Sequence, residues 1–235
     1  MIDKLLPDTV VVVEAYGDEG VREFGEGPLY PEEEALVARA VLKRRREFTV
    51  VRSCARRAME KLGVPAQPVL PGERGAPRWP DGLTGSMTHC EDYGAAALVR
   101  ATELASLGID AEPHEPLPEG VLAAVALPAE TERLRRLAAD RPGIHWDRLL
   151  FSAKESVYKA WFPLTRKWLD FNEADIDIDA GPTTGAEPRG TFRARLLVPG
   201  PLVGERRLTH FDGRWTVGRG LAATAVTVPP PAASR

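Results

Sequence analysis

Cysteine is scarce in this chain: only Cys54 and Cys90 occur among 235 residues. Two thiols without metal-site spacing give neither a disulfide framework nor a zinc knuckle. Both read as small buried or half-buried residues of a reducing compartment. No run approaches the roughly 18 apolar residues of a membrane helix. The opening Met1-Ile2-Asp3-Lys4-Leu5-Leu6-Pro7-Asp8 lacks the basic-then-apolar layout of a secretion signal. The expectation is a soluble, cytoplasmic protein with no membrane partner. Net charge is only −3 at pH 7, which excludes global attraction to nucleic acid but leaves room for local anion sites. No internal repeat and no low-complexity domain stands out.

What is present is an ordinary globular composition, 43% hydrophobic and 28% charged. The length suffices for one large core or for two domains of about 110 residues. Val10-Val11-Val12-Val13, within Thr9 to Ala15, reads as a buried strand. Pro31-Glu32-Glu33-Glu34 opens a helix, with proline first and acids at the positive end of the dipole. Its period runs up to the basic block Lys43-Arg44-Arg45-Arg46. A second helix is expected from Glu47 to Leu62, stopped by Gly63. Glycine and proline punctuate residues 63 to 85, a loop long enough to suggest function. Leu83 to Val99 reads as two strands around a polar turn, and Leu107 to Pro113 as a strand. Helices are expected over Ala129 to Ala139 and Trp146 to Phe162. Short alternating runs from Ala174 to Val228 predict antiparallel strands. The class is α+β, in two halves meeting near residues 102 to 108.

Four groups of residues carry chemistry. Asp110 and Glu112 are two apart on a strand and share a face. Two adjacent carboxylates repel unless a cation lies between them, and hard oxygens suit Mg²⁺; solvated acids at a strand end satisfy the same spacing. Glu155 and Lys159 stand four apart on a helix, which a surface ion pair also explains. Residues 39 to 57 hold Arg39, Lys43, Arg44, Arg45, Arg46, Arg52, Arg56 and Arg57 against Glu47 alone, a phosphate-binding patch or a solvated face. Gly85-Ser86-Met87-Thr88-His89-Cys90 places His89 where it can bind phosphate, move a proton or simply pack.

Taken in order, Gly85-Ser86-Met87-Thr88-His89-Cys90, then Gly108-Ile109-Asp110-Ala111-Glu112-Pro113, then Lys154-Glu155-Ser156-Val157-Tyr158-Lys159-Ala160-Trp161 resemble the signature set of the phosphopantetheinyl transferases. The likeness is to the long, pseudo-dimeric single-chain class and runs from about residue 31 to 171. It implies two similar α/β subdomains related by a pseudo-two-fold axis, each with an antiparallel sheet and helices, at residues 1–106 and 107–228, before a disordered tail at 229–235. It implies Mg²⁺, or Mn²⁺, held by Asp110, Glu112 and Glu155, with only the backbone of Ala111 available. It implies that Glu155 and Lys159 are catalytic. Coenzyme A would be gripped by Arg44, Arg52, Gly72, Glu73, Arg74, Thr88, His89, Asp110, Lys154, Glu155, Lys159 and Trp168. The implied reaction moves 4′-phosphopantetheine from coenzyme A to a serine of an apo-acyl or peptidyl carrier protein of fatty acid, polyketide, peptide or siderophore synthases. Adenosine 3′,5′-bisphosphate is the other product, and the protein is expected to be monomeric. Phe151 replaces a tryptophan common in the family, and Pro71 stands where some relatives carry a basic residue.

Two rivals remain at this point. A Mg²⁺-dependent coenzyme A pyrophosphohydrolase would use the same acids and bases without a protein acceptor. An RNA-binding module would use the basic helix, but it lacks interleaved aromatics, with Phe48 alone in residues 39 to 57.

Overall fold

A computed structural model describes residues 1–25, 28–181 and 187–231. The first sheet contains β1 (Val11–Tyr16), β2 (Leu83–Cys90) and β3 (Tyr93–Arg100) in the antiparallel order β1-β3-β2. It is covered by α3 (Leu42–Lys61), with α1 (Gly17–Gly25) and α2 (Pro31–Val37) before it. The second sheet contains β4 (Ser106–Pro113), β5 (Ala174–Asp179), β6 (Arg189–Leu196), β9 (His210–Gly218) and β10 (Leu221–Val228) in the order β4-β10-β9-β6-β5. It is covered by α6 (Trp146–Thr165), preceded by α4 (Val121–Val125) and α5 (Pro128–Asp140). The strands β7 (Leu202–Val203) and β8 (Arg206–Arg207) form a small ribbon. The protein is α+β, and no helix among the described residues is long and apolar enough to cross a membrane. The expected tail falls partly outside the described residues, at 232–235.

Two expectations are corrected. The strand after Val10 is followed directly by α1, which the sequence pattern did not announce. The basic block does not end the first helix. α2 stops at Val37, Val41 is extended, and Lys43 to Arg46 form the first turns of α3. Positive side chains at the positive end of a dipole disfavour that start locally. Packing overrides it, because Val50, Cys54, Ala55, Ala58 and Met59 bury one side of α3 against the first sheet.

Although no repeat was visible in the sequence, the structure contains one. The strand order β1-β3-β2 recurs as β4-β10-β9. Register recurs as well: Val13 pairs with Ala96 as Asp110 pairs with Thr224, and Ala15 with Gly94 as Glu112 with Ala222. Each half also opens a helix with proline and buries the carboxylate two residues on. Glu33 accepts from the Tyr30 and Val69 N–H groups and pairs with Arg56 at 2.8 Å. Glu130 accepts from the Leu127 and Ile176 N–H groups and pairs with Lys154 at 2.9 Å. Two Pro-x-Glu tripeptides were the available signal, too short to stand out alone.

The halves join where the edge strands β2 and β4 meet. Ile109 N–H donates to Ser86 Oγ at 3.1 Å, and Ala111 N–H to Thr88 Oγ1 at 3.2 Å. Hydroxyls of the Ser-x-Thr segment therefore satisfy backbone donors that an unpaired edge would leave open. Behind this seam lies a shared apolar layer that includes Ile2, Leu5, Ala97, Val99, Leu107, Ile109 and Ala225.

Candidate active site

The site begins with a close approach. A Cβ on Gly108 would lie 2.0 Å from the Ser156 carbonyl oxygen and 2.7 Å from the Ala160 nitrogen, both backbone atoms of α6. Glycine at this position lets β4 lie against α6. Ser106 Oγ donates to the Ala160 carbonyl at 2.7 Å and fixes the same contact. Leu107, Ile109 and Ala111 enter the layer between the sheets, which turns Asp110 and Glu112 to the opposite face, as their two-residue spacing predicts.

Asp110 is buried at 4% exposure. Its Oδ1 accepts from Lys159 Nζ at 2.7 Å and from Thr88 Oγ1 at 3.2 Å. Lys159 also donates to the Ile109 carbonyl at 3.1 Å. The other oxygen, Oδ2, is buried and has no partner among the described residues, a costly state for a carboxylate. Glu112 is held by Arg148 Nη1 at 3.0 Å, while Arg148 also donates to the Glu115 and Pro116 carbonyls. Burial first, and then the charge of Asp110, raise the Glu112 pKa above the ordinary carboxylate value. Burial likewise raises that of Glu155, with Asp110 adding to the shift and Lys159 opposing it. Both glutamates feel Asp110, so the three acids share one electrostatic neighbourhood. Among the described residues, no three His, Cys, Asp or Glu side chains stand close enough together to hold a metal ion as placed.

A cleft of about 860 Å³ runs between α3, the loop at 72–79, β2 and α6; Glu155 and Lys159 line it, whereas Asp110 and Glu112 lie outside its lining. Its volume is within the usual range for cofactor pockets. Six cations line it, Arg44, Arg52, Arg74, Arg78, Lys159 and Arg166, against the two acids Glu73 and Glu155. Such a wall concentrates anions despite the overall acidity. The Arg52 guanidinium sits 3.2 Å from the Phe48 ring centroid and donates to the Val69 carbonyl. Burial lowers its pKa to about 10, leaving it charged at neutral pH. Arg44 Nη1 lies 3.0 Å from His89 Nε2. Burial lowers the His89 pKa, which favours the neutral ring that can accept from Arg44.

Most residues named from the sequence converge here: Arg44, Arg52, Gly72, Glu73, Arg74, His89, Glu155 and Lys159 line the cleft. Thr88 is buried behind them and orients Asp110. Trp168 lies across the cleft mouth, its indole 5.4 Å from the Arg74 guanidinium and 5.0 Å from the Tyr158 ring. Among the lining residues that were not anticipated, Arg78, Tyr158 and Arg166 add charge or an aromatic hydroxyl. Arg78 belongs to the Gly/Pro-rich loop, Tyr158 to the Glu155 face of α6, and Arg166 to a left-handed cap at φ 57°. A basic side chain directly after the longest apolar helix was the available cue for Arg166.

Lys154 is a correction. Its ammonium does not face the cleft but is buried at 4% exposure, bound to Glu130 and to the Phe171 and Ala174 carbonyls. The 100° offset from Glu155 on the helix turns it into the core. Burial lowers its pKa, and Glu130 opposes that shift. Replacing Lys154 by methionine leaves Glu130 buried and uncompensated, so about 3–5 kcal/mol of stability is expected to be lost. Chemical denaturation reads this loss, while the coenzyme A KM of the folded fraction is expected to stay near wild type.

The two halves match successive family profiles. Residues 32–99 match the 4′-phosphopantetheinyl transferase N-terminal domain, and residues 106–198 match the 4′-phosphopantetheinyl transferase superfamily. Among curated proteins, 4′-phosphopantetheinyl transferase Svp of Streptomyces mobaraensis is 57% identical over 232 residues, covering 99% of this chain and 91% of the relative. 4′-Phosphopantetheinyl transferase PptT of Mycobacterium tuberculosis is 46% identical over 228 residues, covering 97% and 98%. 4′-Phosphopantetheinyl transferase Npt of Nocardia iowensis is 46% identical over 228 residues, covering 96% and 99%. Fold and site thus define a group-transferring enzyme built around one cationic cleft. The chain belongs to the 4′-phosphopantetheinyl transferase superfamily, in its long single-chain form.

Proposed function

We propose that this enzyme transfers the 4′-phosphopantetheine group of coenzyme A to a serine of apo-acyl or peptidyl carrier proteins, releasing adenosine 3′,5′-bisphosphate in a Mg²⁺-dependent reaction. The supporting observation is that Glu155 and Lys159 line a cleft whose walls carry Arg44, Arg52, Arg74, Arg78 and Arg166, and that Lys159 ties this wall to the buried Asp110 at 2.7 Å. In this reading the adenosine 3′-phosphate rests on Arg44, Arg52 and His89, and the pantetheine arm passes Tyr158 and Trp168. The division at residues 106 and 107, monomeric action and a cytoplasmic setting belong to the same proposal.

The acid group fits a hard divalent cation. Asp110 Oδ2 is an unsatisfied buried carboxylate oxygen, and two neighbouring carboxylates have pKa values raised partly by Asp110. Mg²⁺ commonly takes one or two protein carboxylates and completes its shell with water and substrate phosphate. Asp110, Glu112 and Glu155 would hold it, and when bound it neutralises pyrophosphate charge. The chain's own groups supply the rest. Glu155 accepts the proton of the carrier serine as its oxygen bonds to the β-phosphorus. The bond from that phosphorus to the bridging oxygen breaks, and the electron pair leaves on the adenosine bisphosphate. Lys159 faces the charge growing there.

Mass spectrometry of apo-acyl and apo-peptidyl carriers after incubation with coenzyme A and Mg²⁺ tests the reading. A gain of about 340 Da, one phosphopantetheine arm on one serine, is expected. Release of adenosine bisphosphate at the same rate without any carrier would overturn it in favour of a pyrophosphohydrolase. Cation affinity is also expected to depend on pH. Raised carboxylate pKa values mean that Glu112 and Glu155 take up protons at a higher pH than ordinary glutamates. Affinity therefore falls as pH drops through those raised values, because protonated ligands compete with the metal. The KM for Mg²⁺, measured between neutral and acid pH, is the check.

A further inference from the structure

The coenzyme fills a cleft, but a folded acceptor must rest outside it while one serine reaches Asp110 and Glu112. Beside those acids a second, smaller groove of about 320 Å³ opens between the start of α3 and the turn joining β2 to β3. Leu42, Lys43, Arg46, Cys90 and Glu91 line it. The groove borders the cleft: His89, which lines the cleft, precedes Cys90 on β2 and lies 3.5 Å from Glu47 of the groove. Through the seam, Ser86 and Thr88 of β2 bond Ile109 and Ala111 of β4, so the end of β2 at Cys90 runs toward the Glu112 end of β4.

On the rim of this groove stands the most exposed apolar surface among the described residues. Leu42 is 85% and Val41 73% exposed, a pair that function rather than folding explains. Three cations flank it. Arg45 is taken by Glu34 and Arg44 turns to His89, whereas Arg39 and Arg46 have no ion-pair partner among the described residues. Lys43 has only a 3.5 Å pair with the well-exposed Glu91, which contributes little. Across the groove stand Glu91 and Asp92. The charge is therefore split, and repulsion from that acidic wall orients any acidic partner toward α3. Cys90 adds no reactivity, since burial pushes its thiol pKa up to about 12.

We propose that Val41 and Leu42, with Arg39, Lys43 and Arg46, form the docking surface for the acceptor protein, receiving an acidic amphipathic face beside the serine to be modified. This rests on the transfer reaction proposed above. The test uses an apo-acyl carrier protein and a copy of it whose modifiable serine is replaced by alanine. For Leu42→Asp and for the pair Lys43→Glu/Arg46→Glu, calorimetric affinity for the alanine copy is expected to fall at least about 10-fold, while the KM for coenzyme A stays within about 2-fold. The charge pair is expected to flatten the salt dependence of binding as well. Affinity within about 2-fold of wild type in both variants overturns the docking surface even if transfer proceeds. A wild-type dimer that Leu42→Asp dissociates also overturns it, because a second copy would then own the patch. Weakened binding in the variants without any transfer by the wild type would sink the reaction and leave the docking surface standing.

Discussion

Alanine at position 108 is expected to reduce kcat by about 100-fold or more. The added methyl would meet the Ser156 carbonyl at 2.0 Å and the Ala160 nitrogen at 2.7 Å, both backbone. A flexible side chain can swing away from such a clash, whereas an internal turn of α6 cannot. The strand must then retreat from the helix, carrying Asp110 and Glu112 away from Glu155 and Lys159. A misplacement of about 1 Å can cost about 100-fold in rate, and overpacking adds about 1–3 kcal/mol of lost stability. Steady-state kinetics with saturating carrier, coenzyme A and Mg²⁺, beside a melting curve, separate the two effects. Wild-type kcat in a folded variant would contradict the view that this contact sets the geometry.

Glutamine at position 155 is expected to lower kcat by about 10²–10⁴, the range for a positioned general base. Burial and Asp110 raise the Glu155 pKa, which moves the carboxylate toward the operating pH where a base is most effective. The base works deprotonated, so wild-type kcat/KM for Mg²⁺, which reports the metal-free site, rises with pH through that raised value and then levels. The variant has no such group, and its profile is expected to lose that acid limb. Coenzyme A binding should change little, because the proposed seat of the adenosine end is Arg44 and Arg52 of α3, away from Glu155. Near-normal turnover with coenzyme A and metal saturating would show that the proton goes elsewhere.

Much of this was legible before any coordinates. β-Branched runs, the Pro-Glu helix start and the alternating segments around residues 83–100 report local burial directly, and they give most strands and the long helix α6. The catalytic candidates were legible through their order along the chain rather than through spacing, since acid-x-acid and Glu-x-x-x-Lys are ordinary surface patterns. What stayed hidden depends on partners distant in sequence. Lys154 reads as one more cation of the Lys-Glu helix until Glu130, on α5, is seen to take it. The start of α3 was misplaced because its first turn opposes the dipole and only tertiary packing holds it. Thr88 was named as a coenzyme contact and Ser86 was given no role. Their hydroxyls instead stitch two edge strands, a role no local pattern encodes.

The repeated register has a consequence for how coenzyme is handled. Where the second half carries Asp110 and Glu112, the first carries Val13 and Ala15, both packed under α3. Of the two matching places in the architecture, one has become apolar glue. On the proposed reading, one half carries the acids and the other, through Arg44 and Arg52 of α3, the seat for the ligand's far end. Saturation of a single chain with coenzyme A is accordingly expected to be hyperbolic, with no sister centre to cooperate.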